Sequence, residues 1–139
     1  MDREELLNLY DRIIASEIET IMNLCDRAIQ HGYHELVILN PWLSENDLGI
    51  MAVIHIVNTF LRSDFSIQFG TTRRRMRGLK KYWLEKCGGK FPFKRYKKRI
   101  DVDVNPFRYV SMDELFKNDL LLQSDIEWRD IFREYYFKK

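Results

Sequence analysis

Residues 35–70 read ELVILNPWLSENDLGIMAVIHIVNTFLRSDFSIQFG, and the fold class follows from this stretch. Glu35-Leu-Val-Ile-Leu-Asn40 is a short apolar run stopped by Pro41, with the length and branching of a buried strand. Ser44-Glu-Asn-Asp47 offers an N-cap and first-turn acids for a helix that runs to about Arg62. That helix is apolar nearly all round, so it belongs in the interior. Phe65-Ser-Ile-Gln-Phe-Gly70 then alternates as a second strand does. Strand, helix and strand with short links make a βαβ unit, which implies parallel pairing and a right-handed crossover.

On the N-terminal side, apolar residues from Leu6 to Ile29 recur at three- and four-residue steps and predict one helix over 3–30, stopped by Gly32. Leu7, Leu9 and Leu24 lie off that stripe, which makes a homodimer through this helix an expectation. On the C-terminal side, Thr71 or Thr72 caps a third helix that runs to Lys86, with Met76, Leu79 and Trp83 as its inner stripe and Gly88-Gly89 as its end. Residues 90–98 read as irregular. Arg99-Ile-Asp-Val-Asp-Val104 alternates strictly and predicts a half-buried strand, and a short strand fits 107–110. Ser111-Met-Asp-Glu114 and Ser124-Asp-Ile-Glu127 each fit a capping box, for a short helix to about Asp119 and a last helix to about Phe137. The expected fold is a single three-layer α/β domain over 1–139: a small, mainly parallel sheet of three or four strands flanked by helices.

The chain has 139 residues, 45% of them hydrophobic and 14% aromatic, enough for one core. The longest apolar run, Leu48 to Val57, is half the ~20 residues a spanning helix needs. Two cysteines make no disulfide framework, and no apolar leader follows Met1. These points predict a cytoplasmic protein with no membrane partner.

The formal net charge is only +2, but it is unevenly distributed. Residues 73–99 hold thirteen bases and one acid, Glu85, a net of +12, between flanks of −7 and −3. This helix-loop segment is the candidate site, because a local positive field exists whatever the sum. Crowded like charges repel, and a polyanion relieves the repulsion as its counterions are released. The expected phosphate contacts are Arg73, Arg74, Arg75, Arg77, Lys80, Lys81, Lys94, Arg95, Lys97, Lys98 and Arg99, with Phe93 and Tyr96 stacking on bases. The sequence reading is therefore a nucleic-acid-binding protein, DNA or RNA, without a cofactor. An acidic protein partner would fit the same charges, and so would a solvated face with Phe91 and Phe93 tucked into the core.

An enzyme alternative rests on Asp101-Val-Asp103. On a strand, i and i+2 share a face, and two carboxylates there can hold Mg²⁺. Cys87-Gly88-Gly89, followed after eleven intervening residues by Asp101-Val-Asp103, resembles the nucleotidyltransferase signature over fewer than twenty residues. The resemblance implies metal-dependent nucleotidyl transfer, or nuclease chemistry, through Asp101 and Asp103. The family places a strand before the glycines, where this chain reads as helix.

Other motifs are weaker. His31, His34 and Cys25 do not complete a four-ligand zinc set, and His55 reads as a packed histidine. Gly70-Thr71-Thr72, at a strand end before a helix, could bind an anion through backbone amides, with Asn40 and Ser44 on the same edge. Simple capping by a threonine explains it equally.

Overall fold

The computed structural model describes residues 3–42, 48–87 and 90–115. Eight elements follow in order: α1 (Arg3–Gln30), β1 (Glu35–Leu39), α2 (Leu48–Phe60), β2 (Ser66–Gly70), α3 (Arg73–Cys87), β3 (Lys94–Arg95), β4 (Tyr109–Val110) and α4 (Met112–Leu115). The four strands form one all-parallel sheet in the order β3-β2-β1-β4. The βαβ unit is present as expected, with Glu35 opposite Ser66 and Leu39 opposite Gly70.

Local chemistry explains the boundaries. At the end of α1, Gly32 adopts φ 83°. Tyr33 N–H donates to Ala28 C=O and Gly32 N–H to Ile29 C=O, both at 3.0 Å. That pair of bonds is a Schellman stop, which needs the left-handed conformation glycine tolerates. At α4, Ser111 Oγ accepts from Glu114 N–H at 3.2 Å, and Glu114 Oε2 accepts from Ser111 N–H at 2.6 Å. This is the predicted capping box, closed in both directions. Ser44, Gly88, Gly89 and the expected last helix lie outside the described residues.

The sheet has two unlike faces. Leu36, Ile38, Ile67, Phe69 and Val110 point into the main core, together with Ile21 and Cys25 of α1, Met51, Ile54 and Val57 of α2, and Leu79 and Trp83 of α3. The opposite face carries a small cluster of Val37, Tyr96 and Tyr109 with Leu39 against it. Topology accounts for this division. The steps β1→β2 and β2→β3 move the same way across the sheet, so crossovers of one hand put α2 and α3 on one face. The step β3→β4 returns the other way, and its connection therefore crosses the opposite face. Ile100 of that connection lies over Gly70: a Cβ added at Gly70 would sit 3.1 Å from Ile100 Cδ1 and 2.8 Å from Val37 Cγ1. The Tyr109 hydroxyl ties the connection down, donating to Arg99 C=O and accepting from Asp101 N–H, each at 3.3 Å.

Two expectations do not hold. Residues 99–104 are not a strand; the described conformation is a series of turns. Asp101 Oδ1 accepts from Val104 N–H at 3.2 Å, and Asn105 N–H donates to Asp101 C=O at 3.1 Å. An aspartate that satisfies its own following backbone competes with a ladder. Val102 and Val104 are left 46% and 69% exposed, so the alternation did not report burial. Conversely, the stretch read as irregular contains β3, which pairs Gln68 with Lys94 and Phe69 with Arg95. Two residues are too few to show a period.

Candidate nucleic-acid interface

Helix α3 and edge strand β3 carry the basic segment. Thr72 begins α3: its Oγ1 accepts from Arg75 N–H at 3.1 Å and its C=O from Met76 N–H at 3.0 Å. The threonine at this strand end therefore caps the helix, the simpler of its two possible roles. Asn40 N–H donates to Gly70 C=O at 3.1 Å, so these two residues do share the carboxyl edge of the sheet. Leu79 and Trp83 are buried and Met76 is half-buried, so the inner stripe of α3 is fixed.

That stripe sets where the cations point. Arg73, Arg74, Arg75, Arg77, Lys80 and Lys81 are all exposed. At about 100° per residue, Lys80, Arg73, Arg77, Lys81 and Arg74 fall within an arc of about 120° facing away from the core. Arg75 is the exception; it lies about 100° beyond Arg74, on the opposite flank of the buried stripe from Lys80. Among the described residues, none of these six cations is in an ion pair. Leu84, 45% exposed, sits inside the arc.

The second group of cations follows β3. Lys94, Lys97, Lys98 and Arg99 are exposed, and Arg95 is half-buried, its Nη1 donating to Tyr96 C=O at 3.4 Å. Lys94, Lys97 and Lys98 rim an open cleft of about 560 Å³ whose other walls include Glu35, Gln68 and Tyr96. These are residues of the sheet face opposite the helices. Glu35 is buried there, and its Oε1 lies 3.0 Å from Arg108 Nε. Arg108 in turn donates to the Tyr96 hydroxyl at 3.1 Å and lies over the Tyr33 ring, 4.4 Å from its centroid. Burial, and then the neighbouring Tyr109 hydroxyl, raises the Tyr96 phenol above its ordinary value. The acid lining the cleft is thus already paired, and the lysines are the charges left to face solvent.

On the helix side of β3 is a smaller cleft of about 300 Å³, lined by Met76, Arg77, Lys80, Lys90, Phe91 and Phe93. The two basic groups therefore flank the same sheet edge, one on each side of β3.

The expected stacking residues do not behave as a stacking pair. Phe93 is 5% exposed, stacked on Phe69 at 4.7 Å and held edge-on by Trp83 at 5.3 Å. Tyr96 is 4% exposed and packs edge-on against Tyr109 at 6.1 Å. Both rings are core, because Phe93 enters the helix side of the sheet and Tyr96 the other face. The ring that the sequence pattern did not single out is Phe91, which is half-buried and lines the smaller cleft. Phe91 and Phe93 are two residues apart and both pack on the helix side, so no sequence signal separates them; the packing of Phe69 and Trp83 on Phe93 does.

The carboxylate pair of the enzyme alternative loses its scaffold. Asp101 and Asp103 lie in turns, not on one strand face, and Asp101 is engaged with backbone. Among the described residues, no group of three or more His, Cys, Asp or Glu side chains converges on a point where a metal could sit. Cys25 is buried, and burial, with Asp26 adding to it, pushes its thiol up to about 12, so it is no nucleophile at neutral pH. His55 is half-buried near Phe93, and burial lowers its pKa. His31 stacks on Phe107 at 3.9 Å, an arrangement that uses its ring for packing. No described helix is long and apolar enough to cross a membrane. No protein-family model, curated protein or solved structure matches this chain.

Proposed function

We propose that this protein binds nucleic acid through the basic edge formed by α3 and β3. The observation that carries this reading is the arc of five exposed cations on α3, backed by Lys94, Lys97 and Lys98 across the same sheet edge. A surface that only needed solubility would mix signs, whereas the arc from Lys80 round to Arg74 holds five cations and Leu84, and the one acid of α3, Glu85, falls just past its Arg74 edge. The repulsion within it is relieved when phosphates displace counterions. Binding of this kind positions a backbone and carries little sequence information. The reading differs from the expectation in two respects: Phe93 and Tyr96 serve the core and not the ligand, and Arg75 lies outside the arc.

The test is a titration of the purified protein with single-stranded and duplex oligonucleotides at several salt concentrations. Binding should weaken with salt, with a steep negative slope of log K on log salt. Absence of binding to both polymers at low salt refutes the proposal. A tight complex with an acidic protein and none with nucleic acid would reassign the same surface.

A further inference from the structure

Among the described residues, two aromatics of the basic segment are half-buried: Tyr82, over whose ring the Lys86 ammonium already sits at 5.9 Å, and Phe91, which lines a cleft with cations around it. Phe91 lines the cleft between α3 and β3, with Arg77 and Lys80 on the helix side and Lys90 beside it. Its ring meets Phe93 at 5.3 Å and Trp83 at 6.3 Å, both times edge to face at 72°. Among the described residues, no ring lies parallel on Phe91, in contrast to Phe93, which Phe69 covers at an interplanar angle of 17°. Met76 adds a polarizable wall. The cleft's 300 Å³ is at the lower end of small-ligand sites, about 300–1,000 Å³. That suits one planar group and not a dinucleotide.

We infer that this cleft takes one unpaired nucleobase against Phe91, with the flanking phosphates on Arg77, Lys80 and Lys90. The inference rests on the proposed nucleic-acid binding and deepens it: the substrate class is single-stranded, not duplex. A base inside a duplex has both faces covered by its neighbours, so it can reach Phe91 only by leaving the stack. The phosphate contacts alone would serve any polyanion; the aromatic floor serves only one that carries flat rings. Arg75, on the other flank of α3, takes no part.

The experiment compares three probes on the full chain: a short oligothymidylate, the same sequence as a duplex, and inorganic polyphosphate, which has the charge and no bases. The variant is Phe91→Leu, which keeps apolar volume at a half-buried position; Phe91→Trp restores a ring. Phe91→Leu should weaken the oligothymidylate complex by about five- to 150-fold, the range found for loss of one base–aromatic stack. It should leave polyphosphate affinity unchanged, and Phe91→Trp should recover the wild-type value. Equal losses on oligothymidylate and polyphosphate, or no loss on either, overturn the base site while the basic edge stands. Tighter binding of the duplex than of the single strand overturns it as well. Failure of the wild type to bind any of the three probes overturns the functional reading itself.

Discussion

The helical arc on α3 makes a quantitative prediction about salt. Arg73, Arg77 and Lys80 lie within about 60° of one another on the helix surface, and all three are exposed without a described acidic partner. Each that neutralises a phosphate of a single strand contributes about −0.7 to the slope of log K on log salt. Replacing all three with alanine should therefore flatten the slope by about 2. Between about 50 and 200 mM salt, that difference is worth about 20-fold in relative affinity. Arg75→Ala is the internal control, since it removes a charge of the same type from the same turn on the other flank. Its slope should change by less than about one third of the triple variant's, because a residue outside the arc meets fewer phosphates. Fluorescence anisotropy of a labelled oligothymidylate measures both, with circular dichroism to confirm that α3 persists. If Arg75→Ala flattens the slope by about 0.7, the full contribution of one phosphate contact, the ligand does not single out this arc. A triple variant that keeps the wild-type slope refutes the arc as the binding surface in the same way.

Other expectations concern the frame that holds the edge. Phe93→Ala removes a ring packed on Phe69, Trp83 and Phe91 and should cost about 3–5 kcal/mol in urea unfolding, the loss typical of a buried aromatic. Two glycines should respond with opposite signs. Gly70→Ala drives a methyl to 2.8 Å from Val37 Cγ1 and should destabilise by about 1–3 kcal/mol, whereas Gly78→Ala meets nothing within 4 Å on α3 and should stabilise by about 0.5–1 kcal/mol. His55 has a folded-state pKa below its unfolded one, so the unfolded chain binds the proton more readily. Stability should fall as pH drops from neutrality through the ordinary histidine range of about 6.5, and the decline should level off below the folded-state value. Urea midpoints measured across pH for the wild type and His55→Phe check this: the variant should lack that part of the decline.

The charge segregation was legible because it is a property of order along the chain. A block of thirteen bases between Arg73 and Arg99 has no acid but Glu85 to neutralise it locally, wherever the fold puts it. The βαβ unit was legible too, since buried parallel strands must be apolar on both faces and the helix between them must be apolar as well. Leu36, Val37 and Ile38 are all fully buried, on two different sides of the sheet. Legibility fails where a pattern has more than one physical cause. Asp101-Val-Asp103 alternates like a strand, yet with no strand partner for its backbone the aspartate turned the chain instead. Phe91, Phe93 and Tyr96 look alike between cations, but the odd spacing from Phe93 to Tyr96 across β3 sends them to opposite faces, and only tertiary packing leaves Phe91 more open than Phe93.

The sequence by itself therefore determined the α/β class, the helix stop at Gly32 and the cap at Ser111, and the existence of a strongly basic segment. Each is set by near neighbours: backbone hydrogen bonding within one turn, apolar period, and charge count. Only the tertiary structure decided which strand became the sheet edge and which aromatics went inside. It also set Arg75 apart from the arc shared by Arg73, Arg77 and Lys80. Those outcomes depend on what packs against α3 and β3, namely Phe69, Trp83 and the crossover geometry, and residues distant in sequence supply it.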